Sequence, residues 1–145
     1  MKAVIQVVGQ ADLKVDDKLV SKIGKGLVVF FCVEKDDMEE KLQFFAKKIP
    51  NLRIFADENG KTNLSVKDVG GEILFVSQFT LAADAEHGNR PSFINAELPE
   101  RAEKMYLQCA KMIESDGVPV KLGIFGANMQ ITQVNDGPFT ILLEK

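Results

Sequence analysis

The run Leu27-Val28-Val29-Phe30-Phe31-Cys32-Val33 is the longest apolar stretch of the 145-residue chain. A strand that is apolar on both faces has to be covered on both faces, so this run predicts a central strand. It is far too short to cross a bilayer, which needs about 20 apolar residues. With 46% hydrophobic residues, we expect one domain with a real core, residues 1–145.

Further strands are expected on both sides of this run. Residues 2–8 are rich in β-branched side chains and mostly apolar. Apolar and polar side chains alternate in residues 11–20, where a turn is expected at Asp16-Asp17. Residues 72–79 contain a second continuous apolar run, which predicts another buried strand. Shorter strand signals lie at residues 52–55, 64–66, 118–124, 129–134 and 139–143.

Two segments show the apolar spacing of helices. In the first, residues 36–49, Asp36 and Glu39 fit a variant of the capping box, and Pro50 is expected to end the helix. The second begins near Pro99, and Gly117 is expected to stop it. Clustered strands with two separate helices predict an α+β fold with a mostly antiparallel β-sheet or barrel.

Composition excludes several classes of protein. The net charge of −3 does not indicate a strongly basic nucleic-acid binder, so no DNA partner is expected, although contact with one end of an RNA needs fewer cations. The first residues lack a signal-peptide pattern and no membrane segment is expected, which predicts a cytoplasmic protein. Cys32 and Cys109 have the surroundings of core residues, and two cysteines with one histidine do not make a zinc site.

Common hydrolase and nucleotide motifs are missing. There is no Gly-x-Ser-x-Gly elbow, and a Ser-His-Asp triad would have to use His87, which lies in a polar loop. Gly24-Lys25-Gly26 lacks the spacing of a P-loop. The acidic residues at 34–40 are expected to form a solvated helix start rather than a metal site.

Ser77-Gln78-Phe79-Thr80-Leu81 places three polar side chains at the end of an apolar strand. Residues 82–99, which follow, form the longest segment without periodicity, and strand ends that feed long loops are common positions of sites. Backbone N–H groups there could stabilise an oxyanion. The alternative is a strand end whose polar groups satisfy local backbone, and the motif alone does not separate the two.

Val134-Asn135-Asp136-Gly137-Pro138-Phe139-Thr140 is dense in turn-forming residues and lies between two strand-like runs. Gly137 permits a positive φ, and Pro138 fixes its own φ and donates no hydrogen bond. So stiff a turn can hold backbone carbonyls in a set direction. Taken alone, however, the stretch favours a plain hairpin turn.

Together, the two motifs resemble those of the D-aminoacyl-tRNA deacylases. Ser77-Gln78-Phe79-Thr80-Leu81 and Asn135-Asp136-Gly137-Pro138-Phe139-Thr140 are both intact, and Arg90-Pro91-Ser92-Phe93 matches the family's loop between them. Residues 1–6, 51–55, 63–66 and 70–71 match as well, so the resemblance covers essentially the whole chain.

The resemblance implies a homodimer with two active sites at the subunit interface. Such proteins bind the acceptor 3′ end of aminoacyl-tRNA and hydrolyse the ester between a D-amino acid and the terminal ribose. They also remove glycine from mischarged tRNA. No metal and no organic cofactor is expected.

The resemblance also assigns a chiral gate. Gly137 and Pro138, joined by a cis peptide and flanked by Asn135, are expected to enter the partner's pocket and reject L-amino acids. The family usually has an arginine at the position of Val7, where it is thought to help orient the Gly-Pro segment. Val7 cannot donate a hydrogen bond, so the expected cis peptide has no assigned support in this chain.

Ser77, Gln78, Phe79 and Thr80 are expected to line the pocket and carry catalysis, with backbone N–H groups near Phe79 as oxyanion donors. Thr80 is a candidate nucleophile in the family. The family view that is better supported has the ribose 2′-hydroxyl of the tRNA assist an attacking water. The sequence fits that view, because it offers no obvious base beside Thr80.

Three further assignments have direct alternatives. Phe125 and Met129 are expected to line the pocket of the terminal adenosine, although core packing accounts for them equally well. Arg90 is expected to contact the acceptor stem from its long loop, where a solvated arginine is the usual alternative. A non-catalytic dimer that binds RNA ends is the alternative to an editing hydrolase, and turnover separates the two.

Overall fold

The computed structural model describes residues 1–145, and strand β3, Gly26–Cys32, lies at the centre of its main sheet. β3 pairs antiparallel with β1, Lys2–Val15, and parallel with β6, Glu72–Ser77. Nearly all of its side chains are buried, on both faces of the sheet. The central strand expected from the apolar run is therefore confirmed.

The remaining elements complete a mixed sheet and two helices. The other strands are β2 (Lys18–Ile23), β4 (Phe55–Ala56), β5 (Thr62–Leu64), β7 (Val120–Leu122) and β8 (Gln130–Glu144), and the helices are α1 (Lys41–Asn51) and α2 (Pro99–Ser115). The main sheet has the order β2-β1-β3-β6-β7, and β8 also pairs with β1.

The sheet nearly closes into a mixed β-barrel, because its two ends approach each other. Ser21 Oγ on β2 donates a hydrogen bond to the carbonyl oxygen of Leu122 on β7 at 2.6 Å. The β3–β6 and β6–β7 pairs are parallel, whereas the pairs made by β1 are antiparallel. The predicted α+β class with two helices is confirmed, and the sheet is mixed, because the central strand β3 pairs antiparallel with β1 and parallel with β6.

Apolar side chains fill both faces of the sheet. A cluster of 23 buried residues lies between the sheet and the helices and includes Phe31, Phe45 and Met105. A smaller cluster of seven, including Leu13 and Leu74, fills the opposite face. Burial of this apolar surface is the main favourable contribution to folding. No helix has the combination of length and apolar character needed to span a membrane.

The turn expected at Asp16-Asp17 is present. Both residues have positive φ, 47° and 62°, as the two central residues of a type I′ hairpin do. The turn joins β1 to β2 with Val15 opposite Lys18. Residues 2–8 and 11–15 lie on one long strand, β1, rather than on two separate strands.

Helix α1 begins later than expected, at Lys41, so the capping box at Asp36 is wrong. Asp36 has a φ of 66°, which is not helical. The Asp37 carboxylate is buried and accepts hydrogen bonds from the Glu34 backbone N–H at 2.8 Å and from Lys41 Nζ at 2.7 Å. Burial acts to raise the pKa of Asp37, but the hydrogen bonds from Lys41, from the Met1 ammonium 2.6 Å away and from Glu34 outweigh it and lower the pKa. The acidic stretch at residues 34–40 is therefore not wholly solvated, because Asp37 is buried and hydrogen-bonded. Pro50, which was expected to end α1, lies inside its last turn.

The runs at residues 129–134 and 139–143 belong to one strand, β8, so the turn between them is not a hairpin. Both runs pair antiparallel with β1, with Asn135 opposite Val8 and Thr140 opposite Gln6. Residues 136–139 therefore lie opposite the single residue Val7, and we call this four-residue bulge the Gly-Pro excursion. The Gly137–Pro138 peptide within it is cis.

Candidate active site

A cavity of about 460 Å³ opens where β3 and β6 end. Because these two strands are parallel, their carboxyl ends lie side by side, with Phe31 opposite Ser77. The N-terminal part of α2 and residues 125–131 contribute further wall, and 12 of the 18 lining residues are hydrophobic. A largely apolar cavity with a few polar groups is typical of small-ligand sites.

The Ser77-Gln78-Phe79-Thr80 motif forms one edge of this cavity. Ser77 is the last residue of β6, and the Gln78 backbone N–H donates to the carbonyl oxygen of Phe31 at 2.8 Å. Residues Phe79–Ala82 then form a short 3₁₀ turn. The Phe79 ring is 55% exposed and meets the Phe93 ring edge-on, with 5.2 Å between centroids.

The structure brings together only some of the residues predicted from the sequence. Those that line the cavity are Ser77, Gln78, Phe79, Phe125 and Met129. Those that do not line it are Thr80, Arg90, Asn135, Gly137 and Pro138, all of which are exposed. The Gly-Pro excursion thus projects from β8 without lining the cavity of its own chain.

Thr80 has no base as a hydrogen-bond partner. Its Oγ1 accepts a hydrogen bond from Gln78 Nε2. An amide does not take up a proton at neutral pH, and no carboxylate or imidazole bonds to this hydroxyl. The surroundings of Thr80 therefore give no means of activating it as a nucleophile.

Cys32 lines the cavity although the sequence indicated only a core residue. Its Sγ lies 3.6 Å from the carbonyl oxygen of Phe79. Burial, reinforced by the Glu34 carboxylate, raises the pKa of Cys32 to about 11. The thiol is therefore neutral at physiological pH and is not a nucleophile. Its position at the end of the central apolar run was the signal that could have identified it.

Glu97 is the one charged residue among those that line the cavity. Its carboxylate pairs with Arg101 one turn along α2, and Arg101 also donates to the backbone carbonyl of Asp37. The Glu97 backbone N–H donates to the carbonyl oxygen of Val33 at 3.1 Å. These contacts fix the loop before α2 onto the end of β3. The contacts with Asp37 and Val33 could not be read from a local sequence pattern, because those partners are about 64 residues away in the chain.

Tyr106 also lines the cavity, although sequence patterns did not single it out. Its hydroxyl donates to the carbonyl oxygen of Phe75 at 2.6 Å, and its ring stacks on the Phe75 ring at 5.2 Å. Burial raises the pKa of Tyr106, so the phenol stays neutral. It therefore acts as a hydrogen-bond donor that ties α2 to β6.

Tyr106→Phe should lower the free energy of unfolding by about 1 kcal/mol, the net value of one hydrogen bond. The Phe75 carbonyl keeps a second donor, the Gly123 backbone N–H at 3.3 Å, which limits the loss. Thermal denaturation measures the effect, with Tyr106→Leu as the comparison that also removes the ring. An unchanged midpoint for Tyr106→Phe would show that the hydroxyl contributes nothing.

A second group of ionisable side chains lies in the long loop. Ligand atoms of Asp84, Glu86 and His87 come within 4.8 Å of one another, and none of these residues lines the cavity. Exposed acidic groups commonly cluster in this way without an ion. The group is therefore not assigned a role in the site.

The whole chain is similar to proteins of one family. The family model described as D-Tyr-tRNA(Tyr) deacylase matches residues 4–144. Proteins named D-aminoacyl-tRNA deacylase from Persephonella marina and Limosilactobacillus reuteri are 51% and 49% identical over 144 and 145 residues. The alignments cover 99% of this chain and 97% of the first protein, and 100% of both for the second.

Two solved structures share the fold. The "c-Myc DNA Unwinding Element Binding Protein" is 42% identical, with a TM-score of 0.94 over 100% of this chain and 99% of that one. A "probable eukaryotic D-amino acid tRNA deacylase" is 20% identical, with a TM-score of 0.79 over 98% and 97%, and supports the fold alone. From the family match and the identities over its whole length, the chain belongs to the D-aminoacyl-tRNA deacylases, a family of ester hydrolases.

Proposed function

We propose that this protein hydrolyses the ester bond of D-aminoacyl-tRNA in the cytoplasm and releases free tRNA and the amino acid. The observation that carries the proposal is the position of Ser77, Gln78 and Phe79, part of an intact family motif, at the edge of the apolar cavity. Glycyl-tRNA is a second substrate, because glycine has no side chain that a chiral gate could reject.

The cavity receives the terminal adenosine of the tRNA. Phe125 and Met129 lie on one wall, and Tyr106 lies 6.2 Å from Phe125 between ring centroids. Aromatic side chains favour bases because they stack on them. A volume of about 460 Å³ also falls within the usual range for small-ligand sites. Arg90, exposed in the long loop, is the residue that we assign to the acceptor stem.

Water is the attacking nucleophile in this proposal, and the ribose 2′-hydroxyl of the substrate assists it. The absence of a base beside Thr80 supports this choice, because the only side-chain partner of its hydroxyl is the Gln78 amide, which does not take up a proton. Backbone N–H groups near Phe79 stabilise the oxyanion that forms on the ester carbonyl. The hydroxyl of Thr80 orients Gln78 and stays unmodified through the reaction.

Thr80→Ala should retain deacylation within about threefold of the wild type, since loss of a true acid–base or nucleophilic group costs about 100-fold or more. Single-turnover rates with saturating D-tyrosyl-tRNA measure the effect, and Thr80→Ser is the control for loss of the methyl group alone. Lost turnover with unchanged substrate binding would assign the nucleophile to Thr80.

The Gly-Pro excursion acts on the cavity of a second copy of the chain. It is exposed and does not line its own cavity, and Val134 and Leu142 on the same strand are 53% and 58% exposed. Both side chains would be covered if a second copy of the chain packed against β8. In the homodimer, the carbonyl groups of Gly137 and Pro138 occupy the space that the side chain of an L-amino acid would need, so only D-substrates and glycine fit.

Single-turnover deacylation of D-tyrosyl-, L-tyrosyl- and glycyl-tRNA without added metal tests the proposal. Release from the D- and glycyl-substrates, with the L-substrate spared, is the expected result. Binding of all three without turnover would instead favour a protein that binds RNA ends. Sedimentation of the free protein as a monomer at assay concentration would exclude the cross-subunit gate.

A further inference from the structure

The Gly-Pro excursion needs support from outside its own residues. Residues 136–139 lie opposite the single residue Val7, so they are out of register with the ladder between β1 and β8. No side chain of these four residues makes a hydrogen bond, and Val7 is a buried hydrocarbon side chain that cannot donate one. Holding each of these residues in one backbone conformation costs conformational entropy, which other contacts have to offset. Phe139 is half-buried against the hydrophobic core, whereas Asp136, Gly137 and Pro138 are exposed, so the position of these three residues depends on the points where the excursion leaves and rejoins the sheet.

A line of side-chain hydrogen bonds joins these two points. Gln133 Nε2 donates to Asn135 Oδ1 at 2.7 Å and to Gln6 Oε1 at 2.8 Å. Gln6 Nε2 in turn donates to Thr140 Oγ1 at 3.3 Å. Asn135 precedes the excursion and Thr140 follows it, so both ends are tied through two glutamines. We call Gln133, Gln6, Asn135 and Thr140 the glutamine relay.

The relay has a defined orientation. Both donor positions of the Gln133 amide are used, which is its full capacity. Its Oε1 is buried without a partner, so the donors alone hold the side chain. A flipped amide would direct an oxygen at two acceptor oxygens. The hydrogen bond between Gln133 and Gln6 is partly buried, which makes it stronger than one between fully solvated amides, whereas the bonds to Asn135 and Thr140 are exposed.

We propose that Gln133, acting through Gln6 and Asn135, positions the Gly-Pro excursion and thereby sets the preference for D- over L-substrates. Gln133 and Gln6 are positioning residues, since neither lines the cavity. The proposal rests on the proposed gate function of Gly137 and Pro138. In this proposal the side-chain amides of Gln133 and Gln6 provide the hydrogen bonds that hold the excursion, which the hydrocarbon side chain of Val7 cannot provide.

Gln133→Leu tests the proposal, because leucine keeps the bulk of the side chain and removes every hydrogen bond. The ratio of kcat/KM for D- to L-tyrosyl-tRNA should fall about tenfold, with kcat/KM for the D-substrate changed less than the ratio. Backbone amide exchange at Asp136, Gly137 and Phe139 should become faster. Gln6→Leu combined with Gln133→Leu should be little worse than either alone, because residues in one hydrogen-bond network are not additive.

Gln130→Leu is the matched control. Gln130 is an exposed glutamine on the same strand, and its side chain makes no hydrogen bond. The Gln130→Leu variant should therefore leave the D/L selectivity and the backbone amide exchange of the excursion unchanged. Unchanged amide exchange in Gln133→Leu would overturn the positioning role, and faster exchange with unchanged selectivity would overturn its link to specificity. If the wild type already hydrolyses the L-substrate as fast as the D-substrate, the gate itself is refuted, and the exchange rates still decide whether the relay holds the excursion.

Discussion

The Ala102→Phe variant should lose about 100-fold in kcat/KM for D-tyrosyl-tRNA, the size of loss that follows when a substrate is displaced by about 1 Å. Ala102 lies on α2 and faces the cavity, so a benzyl group at this position occupies the space that we assign to the terminal adenosine. The added ring would stand in the cavity wall and displace the adenosine from its position. Binding should be affected most, so KM should rise more than kcat falls.

Steady-state and single-turnover deacylation measure this change, with circular dichroism to verify the fold. Glu103→Phe is the control, because it adds the same ring at the next residue of α2, where the side chain is exposed. A folded Ala102→Phe variant with wild-type kcat/KM would show that the substrate does not enter the cavity. The substrate would then have to bind outside the cavity, on another side of residues 77–81.

Gly137→Ala should reduce the preference for the D-substrate by at least about tenfold while it changes global stability little, since a strained residue costs on the order of 1–3 kcal/mol locally. Gly137 has a φ of 119°, where residues with a Cβ are strained. The added methyl carbon would also lie 2.9 Å from the backbone nitrogen of Phe139. Because Asp136, Gly137 and Pro138 are exposed, they relieve this contact by moving, and the carbonyl groups of Gly137 and Pro138 leave their positions.

The ratio of deacylation rates for D- and L-tyrosyl-tRNA measures this loss, and thermal denaturation measures stability. Gly60→Ala is the matched control: Gly60 also has a positive φ, 73°, but it lies in the turn between β4 and β5 with open space around it. It should show a comparable change in stability and no change in selectivity. Equal loss of both substrates in Gly137→Ala would contradict the gate.

The central strands were predictable because burial on both faces leaves a continuous apolar run, which is a local signal. The runs around Val29 and Phe75 became β3 and β6 for this reason. The motif residues Ser77 to Phe79 were also placed correctly at a strand end. Their order in the chain, however, did not reveal that β3 and β6 are parallel, which is what brings their carboxyl ends together.

The incorrect predictions share a physical cause, namely contacts between distant parts of the chain. Asp36 and Glu39 have the spacing of a cap, but Asp37 is held by Lys41 and Glu34, and α1 starts beyond them. The Asn-Asp-Gly-Pro residues specify a local bend. Whether the chain then reverses depends on its pairing partner, and pairing with β1 on both sides keeps β8 in one direction.

The Gly-Pro excursion also bears on how the protein stays in solution before it finds a partner. β8 pairs only with β1, so its other edge presents unpaired backbone groups, and long flat edges of this kind lead to polymerisation. The excursion divides that edge into two short pieces, residues 130–135 and 140–144, and Pro138 contributes no N–H to a foreign strand. The same residues that we assign to substrate selection therefore also shorten the open edge that a foreign strand could pair with.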